Sequence, residues 1–260
     1  MNRPVRAIAV SALLLLAIGT PCLAKEAPVI SHPVETVVLD AKNYYLAPSN
    51  LLKLGIGIAV AAVPANTNAD QWIRDEYQEE IRSDRTDDLA KIFKVPGDWF
   101  VAAPVYLGAF GAGRLLEIPV LEQWAQRSAR ATVVGVPAVL FLQVALGGNR
   151  PTEGDSHWRP FQNSHGVSGH AFIGSIPFLT AAKMSDSPYA KGVLYGLSTL
   201  TGLSRINDDA HYFSQVALGW YLAYLACEVV SKGDAERAGD TQFGIAPLAG
   251  GMAITVHRVY

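Results

Sequence analysis

Six apolar segments, separated by polar stretches, dominate the middle of this 260-residue chain. Each is 12 to 16 residues long, which suits a helix better than a strand, because buried strands usually run about 4 to 8 residues. The segments cover residues 51–63, 99–112, 131–146, 171–182, 192–203 and 216–230. This pattern predicts an all-α fold, a helical bundle of about six core helices.

The length of these segments also bears on membranes. A spanning helix needs about 17 to 25 mostly apolar residues, and the six segments are shorter and contain Lys53, Pro104 and Pro137. We therefore expect a domain that is soluble or in peripheral contact with a membrane. The alternative is a protein integral to the inner membrane.

The N-terminus has the features of an export signal. Arg3 and Arg6 precede an apolar run over residues 7–19, and small residues follow as far as Ala24. This order is typical of a cleaved secretory signal peptide. We interpret residues 1–24 as that signal, which predicts a periplasmic protein.

The remaining chain divides by composition. Residues 25–49 form a polar lead-in, and residues 50–235 form the helical domain. Within that domain the charged stretch 70–94 is interpreted as a solvated helix or helical hairpin without chemistry. Residues 236–260 contain Pro247, the pair Gly250-Gly251 and the β-favouring run 254–256. This tail predicts a small C-terminal β-hairpin.

Charge and histidine spacing limit the partners. The net charge is -2 and the pI is about 6.3, so the basic surface expected of a nucleic-acid-binding protein is missing. His32, His157 and His257 have no ligand spacing to one another, so we expect neither a metal nor another cofactor. The oligomeric state stays open.

The chemistry-bearing residues stand where apolar segments begin or end. They are Arg150, Ser168, Gly169, His170, Arg205 and His211. Guanidinium groups fork onto phosphoryl oxygens and neutralise their charge. A serine can donate a further hydrogen bond, and a glycine lets a helix N-terminus approach an anion. Near neutral pH, one imidazole can be a nucleophile and another a proton donor. The set predicts a phosphate-ester site.

These residues resemble the signature of the type 2 phosphatidic acid phosphatase superfamily, which includes bacterial acid phosphatases, lipid phosphate phosphatases and vanadium haloperoxidases. The family pattern is Lys, six residues, Arg-Pro; then Pro-Ser-Gly-His; then Ser-Arg, five residues, His, three residues, Asp. This chain has Arg150-Pro151, then Ser168-Gly169-His170, then Ser204-Arg205 with His211. The order and spacing agree over roughly residues 51–230.

The resemblance implies a metal-independent mechanism through phosphohistidine. His211 would attack phosphorus and His170 would protonate the leaving oxygen. Arg150, Ser168, Gly169 and Arg205 would hold the phosphate.

Two charged residues of the family pattern are replaced. Gln143 stands in place of the phosphate-binding Lys, and Gln215 in place of the Asp that orients the nucleophile. Because Gln215 follows His211 by four residues, its amide oxygen could still accept the imidazole hydrogen bond. It brings no negative charge.

Other residues could compensate. His165, Arg159 and Lys183 are candidates for the lost cation, and Asp208 or Asp209 for the lost acid. Over compensation we favour local hydrogen bonds for Arg159 and His165 and a solvated turn for Asp208 and Asp209.

The resulting hypothesis is a phosphatase acting on a phosphate monoester, a lipid phosphate or a pyrophosphate. The first alternative is a catalytically impaired protein of the same fold that binds phosphate or a lipid headgroup. The second alternative is a vanadium-dependent haloperoxidase.

Overall fold

The computed structural model describes residues 33–239, 241–248 and 251–258. The predicted signal peptide lies outside these ranges. The described residues form nine α-helices: α1 (Pro33–Leu46), α2 (Pro48–Ala65), α3 (Ala69–Glu76), α4 (Asp84–Phe93), α5 (Trp99–Leu115), α6 (Pro119–Leu146), α7 (Gly169–Met184), α8 (Pro188–Asn207) and α9 (Phe213–Gly239). A π-helical turn, Tyr77–Ile81, follows α3, and a 3-10 turn, Val95–Gly97, precedes α5.

The all-α class is confirmed, but the count of six helices is wrong for the described residues. Each predicted apolar segment lies inside a helix of its own, α2 or one of α5 to α9. The three further helices, α1, α3 and α4, come from the polar lead-in and the charged stretch. Their hydrophobic residues are too scattered to form an apolar run, and packing against the bundle supplies the missing stabilisation.

Local chemistry explains several helix boundaries. Ser83 forms a capping box with Thr86 at the start of α4, and the Asp98 side chain accepts a hydrogen bond from Phe100 at the start of α5. Such caps satisfy amide groups that have no partner inside the helix. Helix α6 ends at Gly147, whose φ of 67° lies in the left-handed region that glycine adopts without steric cost. The chain turns there into the long loop 148–168.

Helices α2, α6 and α8 end at the same end of the bundle where α5, α7 and α9 begin. Contacts between helix ends and loops define this end: Ser156 with Ala65, Gln143 with Val167, Ser168 with Gln215, and Gly97 with His170. The free amides of three helix N-termini therefore face this end of the molecule. Such amides favour a bound anion.

Helix α7 is the centre of the bundle. Phe172, Ile176 and Leu179 are fully buried, as is Leu222 of α9. The two helices approach closely because Gly219 has no side chain, and a Cβ there would collide with the Ser168 carbonyl oxygen. The core thereby fixes the start of α7 against the start of α9.

Three helices, α2, α6 and α9, are long and apolar enough to cross a membrane by length and composition. The prediction that the helices are too short to span is wrong for these three. Helix α6 has 28 residues, whereas its apolar run has 16, because residues outside the run continue the helix. Helix α2 also presents Leu52, Val60 and Val63 on the surface, each more than 60% exposed.

A buried charged cluster joins α1 to the middle of α6 and to the last two turns of α9. Arg130 Nη2 is 2.6 Å from Asp40 Oδ2 of α1, and Arg130 Nη1 is 2.7 Å from Asp234 Oδ1 of α9. Arg127 and Arg237 complete the cluster at Asp234. Because buried charges are costly unless paired, the cluster ties α1 to the bundle. The lead-in segment is thus in part a packed helix.

Two eight-residue strands follow α9, β1 (Thr241–Leu248) and β2 (Gly251–Arg258). They pair in antiparallel register, with Thr241 opposite Arg258 and Leu248 opposite Gly251. Residues 236–239, which the sequence analysis assigned to the hairpin, belong instead to α9.

Candidate active site

The candidate residues gather at the end of the bundle where α7 and α9 begin. Ser168 is the N-cap of α7, and Gly169 and His170 are in its first turn. Arg205 is in the last turn of α8, and His211 lies in the loop before α9. Arg150, in the loop after α6, places its charge close enough to act on both histidines. The fold therefore brings together residues from three separate parts of the sequence.

The side chains of His211 and Gln215 are in direct contact. His211 Nδ1 lies 2.8 Å from Gln215 Oε1. The amide of Gln215 has a defined orientation, because Oε1 also accepts from the Tyr212 backbone N–H at 3.2 Å and Nε2 donates to the Asn149 carbonyl at 2.6 Å. Since Oε1 can only accept, His211 Nδ1 carries the proton. The lone pair of the neutral ring is therefore on Nε2.

His211 is 7% exposed, and its charge state follows from this environment. Burial lowers the pKa of His211 to about 3; the hydrogen bond with Gln215 opposes the shift, and the charges of Arg205 and Arg150 add to it. A buried imidazole that lacks a carboxylate partner is held in its neutral form. His211 thus has a nucleophilic nitrogen throughout the weakly acidic range.

His170 lies half-buried beside the turn that precedes α5. Burial lowers the pKa of His170, the charge of Arg205 lowers it further, and the charge of Asp98 opposes the shift. Gly97 of the 3-10 turn lies against His170, because a Cβ at Gly97 would be 2.6 Å from the His170 carbonyl oxygen. The turn before α5 is therefore part of the wall of the site.

The two arginines differ in their surroundings. Arg205 Nη1 donates to Asp208 Oδ2 at 3.0 Å, while its buried Nε has no hydrogen-bond partner among the described residues. An unpaired buried donor is costly and indicates a group that an anion can satisfy. Arg150 is exposed at the rim of the site, and its backbone N–H donates to Glu153 Oε2 at 3.2 Å.

Ser168 is fully buried, and its backbone holds the start of α7 against α9. Its N–H donates to the Gln215 carbonyl at 3.0 Å, and its Oγ accepts from the Ala171 N–H at 3.3 Å. The hydroxyl proton remains able to donate to a ligand. At Gly169 a Cβ would meet Gln143 Nε2 at an ordinary 3.5 Å. The close approaches are at Gly97 and Gly219 instead, which the sequence did not indicate.

Gln143 has a structural contact. Its Nε2 donates to the Val167 carbonyl at 3.1 Å and so holds the chain that leads into Ser168. Two of the three candidate cations have partners away from Gln143. Arg159 pairs with Asp155 on the surface, and Lys183 lies over the ring of Tyr224 at 4.2 Å.

The third candidate, His165, is the nearest of the three to the site. Its ring centroid is 6.5 Å from that of His211, and its Nδ1 lies 3.2 Å from Glu153 Oε2. The expectation of a local hydrogen bond thus holds for Arg159, which donates to Asp155.

The two candidate acids also have partners of their own. Asp208 Oδ2 accepts from Arg205 and lies 3.4 Å from Lys94 Nζ. Asp209 forms a two-point ion pair with Arg74 of α3, with nitrogen–oxygen distances of 2.7 and 2.6 Å. Among the described residues the hydrogen-bond partner of the His211 ring is Gln215.

The charged stretch 70–94 is more than a solvated face. Arg74 and Lys94 reach the loop between α8 and α9, and Asp70 of α3 reaches the first turn of α9. Asp70 is fully buried, and it accepts from the Ser214 N–H at 2.9 Å and from the Ser214 hydroxyl at 2.5 Å. Sequence reasoning missed Asp70 because 144 residues separate the partners.

The arrangement places two histidines, two arginines and a serine at one end of the helical bundle. A family model described as PAP2 superfamily matches residues 129–237, a range that contains all eight predicted site residues. The match agrees with the family that the sequence motifs resemble. It supports a phosphatase-type function in general. Comparisons with curated proteins and with solved structures gave no match.

Proposed function

We propose that the protein is a phosphatase that hydrolyses a phosphate monoester, a lipid phosphate or a pyrophosphate through a phosphohistidine at His211. The observation that carries the proposal is the Gln215 amide, which holds His211 Nδ1 at 2.8 Å. This contact leaves Nε2 unprotonated and available for attack on phosphorus. The family-model match over residues 129–237 supports the same reaction class.

The first step forms the nitrogen–phosphorus bond. Nε2 of His211 attacks phosphorus while the bond from phosphorus to the leaving oxygen breaks. His170, in its protonated form, gives its proton to that oxygen. Arg150, Arg205 and the Ser168 hydroxyl bind the phosphoryl oxygens and neutralise their charge in the transition state.

The second step releases phosphate. His170, now neutral, takes a proton from a water molecule as the water oxygen attacks phosphorus. The nitrogen–phosphorus bond breaks, and the electron pair returns to Nε2 of His211. Both histidines regain their starting protonation states, so the cycle is balanced without an additional cofactor.

We further propose that the enzyme works at a membrane surface on the exported side. Three helices are long and apolar enough to cross a membrane, and α2 presents an apolar face to its surroundings. An amphiphilic phosphate substrate would meet such a protein at the boundary between lipid and water. This surface therefore favours a lipid-linked phosphate over a small phosphate ester as the substrate.

A second candidate function rests on the two glutamines. Neither Gln143 nor Gln215 carries charge, and the Gln143 amide donates to the Val167 carbonyl. A protein with this site could bind a phosphate headgroup without turnover. The haloperoxidase alternative ranks third, because its family pattern also includes the Lys that Gln143 replaces.

One experiment separates these functions. The detergent-solubilised protein should hydrolyse para-nitrophenyl phosphate, orthovanadate should inhibit it, and His211→Ala should abolish turnover. His157→Ala, which changes a partly exposed histidine of loop 148–168, is the control and should keep full activity. Vanadate binding without turnover in the native protein would favour the binding function. A halide-dependent peroxidase activity with vanadate would favour the third.

A further inference from the structure

Lys94 stands at the C-terminal end of α4, directly before the 3-10 turn, and its backbone is anchored on both sides. The Thr201 hydroxyl donates to the Phe93 carbonyl at 2.8 Å. On the other side, the Gly97 N–H donates to the Lys94 carbonyl at 3.0 Å, and Gly97 lies against His170. The position of the Lys94 Cα is therefore set by contacts with α8 and with the start of α7.

The side chain of Lys94 points to the candidate site. Its Nζ lies 3.4 Å from Asp208 Oδ2, the same oxygen that accepts from Arg205 Nη1 at 3.0 Å. Lys94 and Arg205 thus lie on two sides of one carboxylate oxygen. The charge of Lys94 also reaches His170, where it is one of the cations that add to the effect of burial in lowering the pKa of that histidine.

Two cations, Arg205 and Lys94, therefore contact Asp208, and the charge of Arg150 acts on Arg205 and on both histidines. Lys94 thus adds a positive charge beside the site, where Gln143 brings none. The Lys94 side chain is 41% exposed, and its ammonium group is a mobile point charge on a flexible stem. Rotation about the bonds of this side chain lets the ammonium group leave the Asp208 oxygen and contact another anionic oxygen nearby.

We propose that Lys94 is a phosphate-binding residue, which supplies from the turn before α5 the cation that the site lacks at Gln143. The proposal rests on the proposed phosphate site and adds one residue to it. In this arrangement Asp208 holds Lys94 and Arg205 in place until an anion competes for them. The phosphate then receives charge-assisted hydrogen bonds from three cationic side chains.

The test measures the dissociation constant of orthovanadate for the full-length protein. Lys94→Met should weaken binding about tenfold or more, because a charge-assisted hydrogen bond is lost. Lys94→Arg should bind within about threefold of the native protein, since it keeps the charge. Lys91→Met is the matched control on the same helix, where Lys91 pairs with Asp88 at the surface, and its affinity should be unchanged.

A double-mutant cycle separates direct contact from an indirect effect through Asp208. If Lys94 contacts the anion, Lys94→Met weakens vanadate binding in an Asp208→Asn background as well. Loss of the Lys94 effect in that background would overturn the proposal, and so would equal affinities of the native and Lys94→Met proteins. A native protein that binds no vanadate would overturn the proposed function together with it.

Discussion

The Oε1 atom of Gln215 lies 2.8 Å from Nδ1 of His211 and so makes the contact of an orienting carboxylate without its charge. The amide fixes the tautomer as a carboxylate would, because Oε1 and Nε2 each have a backbone partner. It does not stabilise an imidazolium, and the pKa of the buried His211 is accordingly about 3. The contact therefore keeps the His211 ring oriented but does not supply the negative charge that would stabilise its protonated form.

Gln215→Glu should raise the pKa of His211 by about 1 to 3 units, because an opposite charge would face the ring. It should also raise kcat, since the imidazolium character of the attacking histidine is then stabilised. The free energy of unfolding should fall by about 1 to 3 kcal/mol, because the Asn149 carbonyl loses its donor. Nuclear magnetic resonance titration, steady-state kinetics and thermal unfolding measure the three effects.

The matched control for this change is Gln162→Glu, which adds the same charge at an exposed position of the loop. It should leave all three quantities close to their native values. A Gln215→Glu protein with an unchanged His211 pKa would contradict the assigned contact.

The pH dependence of kcat/KM should be bell-shaped with an optimum on the acid side. The reaction needs neutral His211, which is present above a pKa of about 3. It also needs protonated His170, whose pKa is lowered from 6.5 by burial and then by the charge of Arg205. The rate should therefore rise through pH 3 and decline before neutrality, because kcat/KM reports the free enzyme. A rate that increases up to pH 8 would be inconsistent with these roles.

Two substrates with different leaving groups test the role of His170. His170→Asn should lose most of its activity with an alkyl phosphate, whose leaving oxygen needs a proton. With para-nitrophenyl phosphate, whose leaving group is stable as an anion, the loss should be much smaller. Equal losses on both substrates would argue against proton donation by His170.

Asp70→Ala should lower kcat by about ten- to a hundredfold, because the first turn of α9 carries Gln215, which holds His211, and misplacement of a reacting group is costly. Burial raises the pKa of Asp70 and the hydrogen bonds from Ser214 oppose the shift. Asp70→Asn keeps an acceptor for Ser214 and should retain most of the activity. Asp75→Ala, at an exposed carboxylate of the same helix, is the control. Similar kcat values for all three variants would exclude a positioning role.

Arg130→Met should lower the free energy of unfolding by about 3 to 5 kcal/mol, because it leaves Asp40 and Asp234 buried without their shared partner. Arg114→Met removes an ion pair whose arginine is 62% exposed and should cost at most about 1 kcal/mol. Thermal unfolding compares the two. Neither variant should change KM, since Arg130 in α6 and Arg114 at the C-terminal end of α5 both lie away from the site.

Local patterns in the sequence were sufficient for much of the site. The six apolar runs located six of the helices, and the expected contact between His211 and Gln215 is present. Both depend on neighbours in the chain, although His211 makes its contact from the loop before α9 and not from a shared helix face. The expectation that the helices are too short to span a membrane was wrong for α6 because it equated the apolar run with the whole helix. Helix α6 begins 12 residues before its apolar run.

Contacts between distant segments could not be predicted in this way. Asp70 reaches Ser214 and Lys94 reaches Asp208 across more than a hundred residues. Such pairs have no spacing signal, since they arise only when the loops fold onto the bundle. The charged stretch appeared to be a solvated surface because its partners are contributed by α8 and α9.

The charged cluster around Arg130 and the candidate site are separated along two helices. At 1.5 Å per residue, the separation is about 20 Å along α6, from Arg130 to Gln143, and about 30 Å along α9, from Asp234 to Phe213. The hydrocarbon layer of a bilayer is about 30 Å thick, so with α9 across the bilayer the two polar groups would lie near its two boundaries. In that orientation a lipid phosphate could diffuse sideways to the protein and present its headgroup at the water boundary. Its acyl chains would stay in the bilayer throughout the reaction.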